Sequence, residues 1–115
     1  LMRAALQGDE ISIYGDGRQV RDLLFVDDLL DAFDRGVSHI DRVAGRAFNV
    51  GGGPDRSLSV WCEFREHLAR LLGRDVPARL APWRPADQPV YISDIRRAGA
   101  DLGWRPRTSL ADGLR

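Results

Sequence analysis

The stretch Glu10-Ile11-Ser12-Ile13-Tyr14-Gly15-Asp16-Gly17-Arg18-Gln19-Val20-Arg21-Asp22-Leu23-Leu24-Phe25-Val26-Asp27-Asp28-Leu29-Leu30 changes its hydrophobic period along its length. Apolar Ile11 and Ile13 flank polar Ser12, the period of two that buries one face of a strand, so residues 10–14 are predicted to be extended. Gly15-Asp16-Gly17 is predicted to end that strand in a tight turn that needs glycine's access to positive φ. The continuous apolar run 23–26 predicts a second, buried strand. Asp27 then offers an N-cap, and Leu29, Leu30, Phe33, Val37 and Ile40 recur at helical spacing, predicting a helix over about residues 27–39.

Further along, residues 47–50 predict another buried strand, closed by Gly51-Gly52-Gly53-Pro54. Ser57 or Ser59 is positioned to cap a helix whose apolar stripe is Val60, Trp61, Phe64, Leu68, Leu71 and Leu72, with Gly73 as its C-terminal cap. Residues 76–80 alternate again. Residues 81–89 hold three prolines and predict an ordered loop. Asp94 is placed to cap a short helix ending at Gly103, and Ser109 a last one. Strands alternate with helices, so the fold class is α/β, with an α+β small lobe as its form. The 115 residues suit one domain, residues 1–115, with no internal linker. The first residues carry neither strand nor cap and the last lie in a helical pattern, as expected of a piece of a longer chain.

Composition narrows the function classes. Hydrophobic residues make up 43% of the chain, which argues against disorder, and charges interrupt every apolar run well short of membrane-spanning length. The balance of 17 basic and 17 acidic residues is unlike the basic surplus of a nucleic-acid binder. One cysteine, Cys62, and no visible signal peptide suit a reducing cytoplasm. All the basic residues are arginine. A chain without lysine supplies no Schiff-base amine and no lysine partner for a catalytic tyrosine, but its guanidinium forks suit phosphate oxygens.

His39 and His67 lie on different predicted helices with no metal-ligand spacing, so no metal site is predicted, and His67 falls off its apolar stripe. Cys62 reads as a half-buried structural thiol, and Ser57, Ser59, Ser93 and Ser109 as caps or turn residues rather than nucleophiles. The triglycine lacks the Gly-x-Gly-x-x-Gly pattern of a dinucleotide loop and reads as a turn. Two clusters stand apart. Residues 11–22 put Tyr14 at a strand end and Arg21 beyond a glycine turn. Residues 83–89 project Arg84 and Asp87 from a segment stiffened by prolines. An aromatic face stacks on a base, a guanidinium holds a diphosphate, and a carboxylate accepts ribose hydroxyls; a surface salt bridge is the plainer alternative for each cluster.

Taken in order, Tyr14-Gly15-Asp16-Gly17, Val20-Arg21-Asp22, Phe25-Val26-Asp27-Asp28-Leu29, Phe48-Asn49-Val50-Gly51, Arg84-Pro85-Ala86-Asp87, and Asp94-Ile95-Arg96-Arg97-Ala98 leading to Leu102-Gly103-Trp104-Arg105-Pro106 cover nearly the whole chain. This run resembles the C-terminal third of the extended short-chain dehydrogenase/reductase family, the NAD-dependent nucleotide-sugar epimerases and dehydratases. Gly51-Gly52-Gly53-Pro54, Trp83-Arg84-Pro85-Ala86-Asp87-Gln88 and Val90-Tyr91-Ile92-Ser93-Asp94 are similar to CDP-paratose (CDP-tyvelose) 2-epimerase-like members in particular, with UDP-glucose 4-epimerases and dTDP-sugar dehydratases as near neighbours.

The resemblance implies a substrate-binding portion of a Rossmann-type enzyme without the glycine-rich NAD-binding half. It implies that Ser12 and Tyr14 flank the nucleotide base, that Arg21 and Arg84 bind the diphosphate, that Asp87 holds the ribose hydroxyls, and that Tyr91 sits near the sugar-side wall. Asn49-Val50-Gly51 is expected to support the fold, and Phe25 replaces a histidine common in the family. No catalytic residue is assigned, because the family's Tyr-x-x-x-Lys is absent from these residues. The implied partners are a nucleoside-diphosphate sugar, the NAD-binding Rossmann domain of the parent protein, and a second copy of that parent in a homodimer; NAD itself is expected on that domain, not on these residues. Neither nucleic acid nor membrane is an expected partner. A stand-alone binding or assembly module is the competing reading.

Overall fold

The computed structural model describes residues 1–115. They form two compact units, each assembled from two main stretches of chain: Leu1–Arg21 with Leu58–Tyr91, joined by Arg115, and Asp22–Ser57 with Ile92–Leu114.

In the first unit, β1 (Ile11–Tyr14) pairs in parallel with β4 (Ala78–Ala81), in register from Ile11↔Ala78 to Tyr14↔Ala81. Parallel neighbours need a crossover, and α4 (Cys62–Leu72) lies on the connection between them. The alternation of β1 sends Ile11 and Ile13 into the core with Leu58, Phe64, Leu68 and Val76, and turns Ser12 and Tyr14 to the other face. A second sheet has β2 (Val20–Asp22) between β3 (Ser57–Ser59) and β5 (Val90–Tyr91), with Val20↔Val90 and Arg21↔Tyr91 paired in parallel.

The N-cap of α4 is Trp61, not Ser57 or Ser59, and it makes no side-chain bond, but Ser59, two residues earlier, bonds into the first turn. Ser59 Oγ accepts from the Glu63 N–H (2.9 Å) while a Glu63 carboxylate oxygen accepts from the Ser59 N–H (2.6 Å). This is the reciprocity of a capping box with one extra residue between the partners. Gly73 ends the helix in the left-handed region, φ 65°, as expected. The first residues, expected to carry neither strand nor cap, form α1 (Met2–Gln7), which starts without a side-chain cap bond and is closed by Gly8 at φ 78°. Cys62 is exposed, not half-buried, because the buried face of α4 is the one that carries Phe64 and Leu68.

In the second unit, which also holds α6 (Leu110–Gly113), α2 (Val26–Ser38), α3 (Ile40–Val43) and α5 (Arg96–Leu102) contribute to a cluster of Ala32, Val43, Ala98, Leu102 and Trp104, against which Leu24, Phe48, Val50 and Ile95 pack. Ser109 caps α6 by accepting from the Asp112 N–H (3.1 Å), and Asp94 accepts from the Arg96 N–H (3.1 Å) at the start of α5. The strands expected at 23–26 and 47–50 are not formed. Val26 opens α2, and neither run meets a strand partner; a ladder needs an edge to pair with, and apolar content alone does not supply one. Asp27 is two residues too late to be the N-cap, which is Phe25. The predicted helical stripe is largely uncovered: Leu30, Phe33 and Val37 of α2 and Ile40 at the start of α3 are exposed, while Asp28 and Ala32 face inward.

Asp28 is a tie of this unit. Its two carboxylate oxygens accept from the N–H groups of Arg107 and Thr108, both at 3.0 Å, and its own carbonyl accepts from Trp104 Nε1 (2.9 Å). Burial works against its charge, but those two amides, the Thr108 hydroxyl and the Arg56 guanidinium outweigh burial and hold its pKa below the ordinary range. Asp22 is similar: burial opposes ionisation, and hydrogen bonds from the Gly53 N–H, the Ser93 hydroxyl and the Ser93 N–H lower the pKa overall. A carboxylate with a depressed folded pKa adds stability that is complete above the unfolded value of about 3.9 and is lost as the pH falls through the folded one. Urea midpoints are therefore expected to drop as the pH goes below about 4. Asp28→Asn should start from a lower midpoint at neutral pH and decline less steeply in acid; a slope equal to the unmodified chain's would remove Asp28 from this account.

Candidate functional site

The site begins where β1 ends. After Tyr14 the chain turns through Gly15 (φ 88°) and Gly17 (φ 77°), while the Arg18 N–H donates to Asp16 Oδ1 (2.9 Å). Gly15 is required twice over. Besides its positive φ, a Cβ there would lie 2.6 Å from Gln19 Nε2 and 2.7 Å from the Trp83 ring. The turn thus folds Gln19 back beneath the strand end, where its amide donates to the Tyr14 carbonyl. Arg21 follows on β2.

The other wall comes from the proline-rich loop. The Asp87 N–H donates to the Arg84 carbonyl (3.2 Å), closing a four-residue turn with Pro85 second and Ala86 third at φ 62°. This is the pattern of a type II turn, with alanine where glycine is favoured, and it costs about 1–2 kcal/mol. It sets Arg84 and Asp87 at its two ends.

These elements enclose a pocket of about 250 Å³ lined by Leu1, Ser12, Ile13, Tyr14, Gln19, Arg21, Val60, Arg84 and Asp87. The Arg84 guanidinium stacks over the Tyr14 ring, 3.8 Å from its centroid, and carries no acidic partner. Arg21 pairs with Asp87 (Nη2 to Oδ1, 2.8 Å), and its other nitrogen donates to the Val20 carbonyl (2.8 Å). Both members of the ion pair are about three-quarters buried, with 30% and 25% of their side chains exposed. With two guanidinium groups and one carboxylate, the pocket carries a net positive charge suited to an anionic ligand with an aromatic part.

Of the residues singled out in the sequence, Ser12, Tyr14, Arg21, Arg84 and Asp87 line this one pocket. Tyr91 does not; it is half-exposed on β5, in register with Arg21. Sequence reasoning did not single out Gln19 or Val60. The signal for Gln19 was the spacing of the two glycines, which returns the chain to the strand end it has just left.

Two other features belong to the second unit. The triglycine turn is filled by the protein's own atoms: a Cβ on Gly51 would meet Ser93 Oγ at 2.2 Å and Asp22 Oδ2 at 2.5 Å, and one on Gly52 the Leu23 carbonyl oxygen at 2.0 Å. The Gly53 N–H is already donated to Asp22 (3.0 Å). That turn does not fit the pyrophosphate of a dinucleotide, which needs free amides and open space. A larger concavity of about 510 Å³ lies between α2, α3 and residues 46–50, but its lining is apolar apart from Arg46, and it brings no titratable pair together. No three His, Cys, Asp or Glu side chains stand close enough to hold a metal ion, and no helix is long and apolar enough to cross a membrane.

The fold is that of the C-terminal portion of the extended short-chain dehydrogenase/reductases. Of the solved structures, UDP-glucuronic acid 4-epimerase from Bacillus cereus, in complex with UDP-glucuronic acid and NAD, superposes with a TM-score of 0.89 at 25% identity, over 99% of this chain and 35% of that one. The model of the NAD-dependent epimerase/dehydratase family matches residues 1–51. CDP-paratose 2-epimerase of Salmonella typhi is 32% identical over 103 residues, 90% of this chain and 30% of the relative. UDP-glucose 4-epimerase of Mycolicibacterium smegmatis is 36% identical over 118 residues, 96% of this chain and 34% of the relative. The chain therefore spans about a third of the length of the relatives it matches.

Proposed function

We propose that this chain is the nucleoside-diphosphate-gripping part of an NAD-dependent nucleotide-sugar epimerase. The observation that carries the reading is the stacking of Arg84 on Tyr14 beside the Arg21–Asp87 pair, within one pocket of about 250 Å³. In this reading Tyr14, with Ser12 next to it, faces the base, Arg84 and Arg21 take the diphosphate oxygens, and Asp87 accepts the ribose hydroxyls. Tyr91 lies toward the sugar. None of these groups performs the chemistry. They hold the nonreacting end of the substrate, so that its binding energy orients the sugar for reaction elsewhere. NAD, held by another part of a longer protein, would supply reversible hydride transfer at a sugar carbon.

The finer assignment is a CDP-paratose (CDP-tyvelose) 2-epimerase-like activity in the cytoplasm. It is supported by the similarity to the Salmonella typhi enzyme and by the run from Trp83 to Gln88. The similarity to the Mycolicibacterium smegmatis enzyme favours a 4-epimerase as second reading, with the same grip and a different reacting carbon.

Amide-shift NMR titration of the chain with CDP, UDP, dTDP and NAD tests the grip. Saturable shifts at Tyr14, Arg21, Arg84 and Asp87 are expected from a nucleoside diphosphate, strongest with CDP, and none from NAD. Arg84→Ala should weaken that binding about tenfold to a hundredfold, the worth of a charge-assisted contact. Equal affinity in Arg84→Ala would remove the phosphate role from this residue.

A further inference from the structure

Gln19 is 4% exposed, and the surroundings of its amide nitrogen are unusual. Nε2 faces two groups that only accept hydrogen bonds: the Tyr14 carbonyl, to which it donates, and Asp87 Oδ2 at 3.5 Å. Turning the amide over would set an oxygen against both acceptors, so the orientation is fixed by chemistry. Oε1 is then left buried with no donor. A buried acceptor without a partner is unfavourable, and the fold retains it because the nitrogen is needed on the other side.

That nitrogen joins the two halves of the pocket. Tyr14 carries the ring beneath Arg84, and Asp87 carries the carboxylate paired with Arg21. Asp87 is held through both oxygens, Oδ1 by Arg21 and Oδ2 by Gln19. We propose that Gln19 is a positioning residue for nucleoside-diphosphate binding: as an obligatory donor, it sets the spacing between the Tyr14–Arg84 stack and the Arg21–Asp87 pair. This rests on the reading of the pocket given above. Gln19 touches no ligand in this account and acts through Tyr14 and Asp87.

The test is Gln19→Glu, which keeps the shape and makes the donor titratable. Protonated, the carboxyl can still donate to the Tyr14 carbonyl; ionised, it opposes that carbonyl and Asp87 together. Burial beside two acceptors raises its pKa from about 4.3, so the protonated form should persist at about pH 5 and be lost by about pH 8. CDP affinity of Gln19→Glu relative to the unmodified chain is expected to fall roughly tenfold or more across that range, with the folded fraction followed by NMR at each pH. A ratio that stays flat overturns the proposal.

Gln19→Met, uncharged and similar in length, covers the case in which the glutamate variant does not fold. It should bind CDP several-fold more weakly by the same factor at every pH, and undiminished affinity would overturn the donor role. Failure of the unmodified chain to bind CDP, UDP or dTDP would instead strike the pocket reading itself and take this inference with it. Binding by the unmodified chain with a flat glutamate ratio strikes Gln19 alone.

Discussion

Trp104→Ala is expected to cost about 3–5 kcal/mol, enough to unfold the unit built from Asp22–Ser57 and Ile92–Leu114. Trp104 is fully buried at the centre of the cluster of Ala32, Val43, Ala98 and Leu102, and small neighbours such as these alanines cannot swing in to fill the space it would leave. Its indole N–H also satisfies the Asp28 carbonyl, so truncation removes a buried donor together with the ring. The measurement is amide hydrogen exchange. Protection in α2 and α5 should collapse in the variant, and in Trp104→Phe, which keeps an aromatic ring and loses only the donor and some volume, it should survive in reduced form. Protection in the alanine variant equal to that of the unmodified chain would show that the cluster does not hold this unit together.

Gly52→Ala should be nearly as damaging, for the opposite reason. The added methyl would sit 2.0 Å from the Leu23 carbonyl oxygen and 2.8 Å from its carbon, and backbone cannot rotate out of the way as a side chain can. Leu23 is itself tied by its N–H to the Arg56 carbonyl (2.9 Å), so the displacement would spread to the segment that follows the triglycine turn. Overpacking of this kind costs about 1–3 kcal/mol and sometimes more. Gly36 provides the contrast. It lies within α2, a methyl added there would meet nothing within 4 Å, and its φ is not in the left-handed region. Gly36→Ala should raise the thermal midpoint slightly, by the roughly 0.5–1 kcal/mol that glycine costs inside a helix. Thermal melts of the two variants should therefore move in opposite directions, and a neutral Gly52→Ala would contradict the packing described.

What the sequence made legible follows from local chemistry. The alternation of Ile11, Ser12 and Ile13, the turn at Gly15 and Gly17, and the helix stops at Gly73 and Gly103 all rest on a few adjacent residues and appear as expected. The failures are non-local. Phe48 and Val50 look like strand residues but are used to pad the Trp104 cluster, and β3 and β5 are too short to show a period at all. The stripe of α2 marked the helix correctly, yet periodicity does not say which partner is present to cover it, and Asp28 and Ala32 face the interior instead. Within the pocket, residue types announced Tyr14, Arg21, Arg84 and Asp87. The stack of Arg84 on Tyr14 depended on Ala86 taking a left-handed conformation, which an alanine does not advertise.

The Arg21–Asp87 pair has a consequence for how quickly a ligand arrives. Each guanidinium left bare would add to the long-range field that draws an anion toward the mouth of the pocket, and that pull is the part of association most sensitive to ionic strength. Because Asp87 neutralises Arg21 in advance, the field at the pocket comes chiefly from Arg84, held over the Tyr14 ring. On the function proposed above, encounter would be governed by one charge and retention by two, since Arg21 would engage a diphosphate only once it is close enough to share the guanidinium with the Asp87 carboxylate.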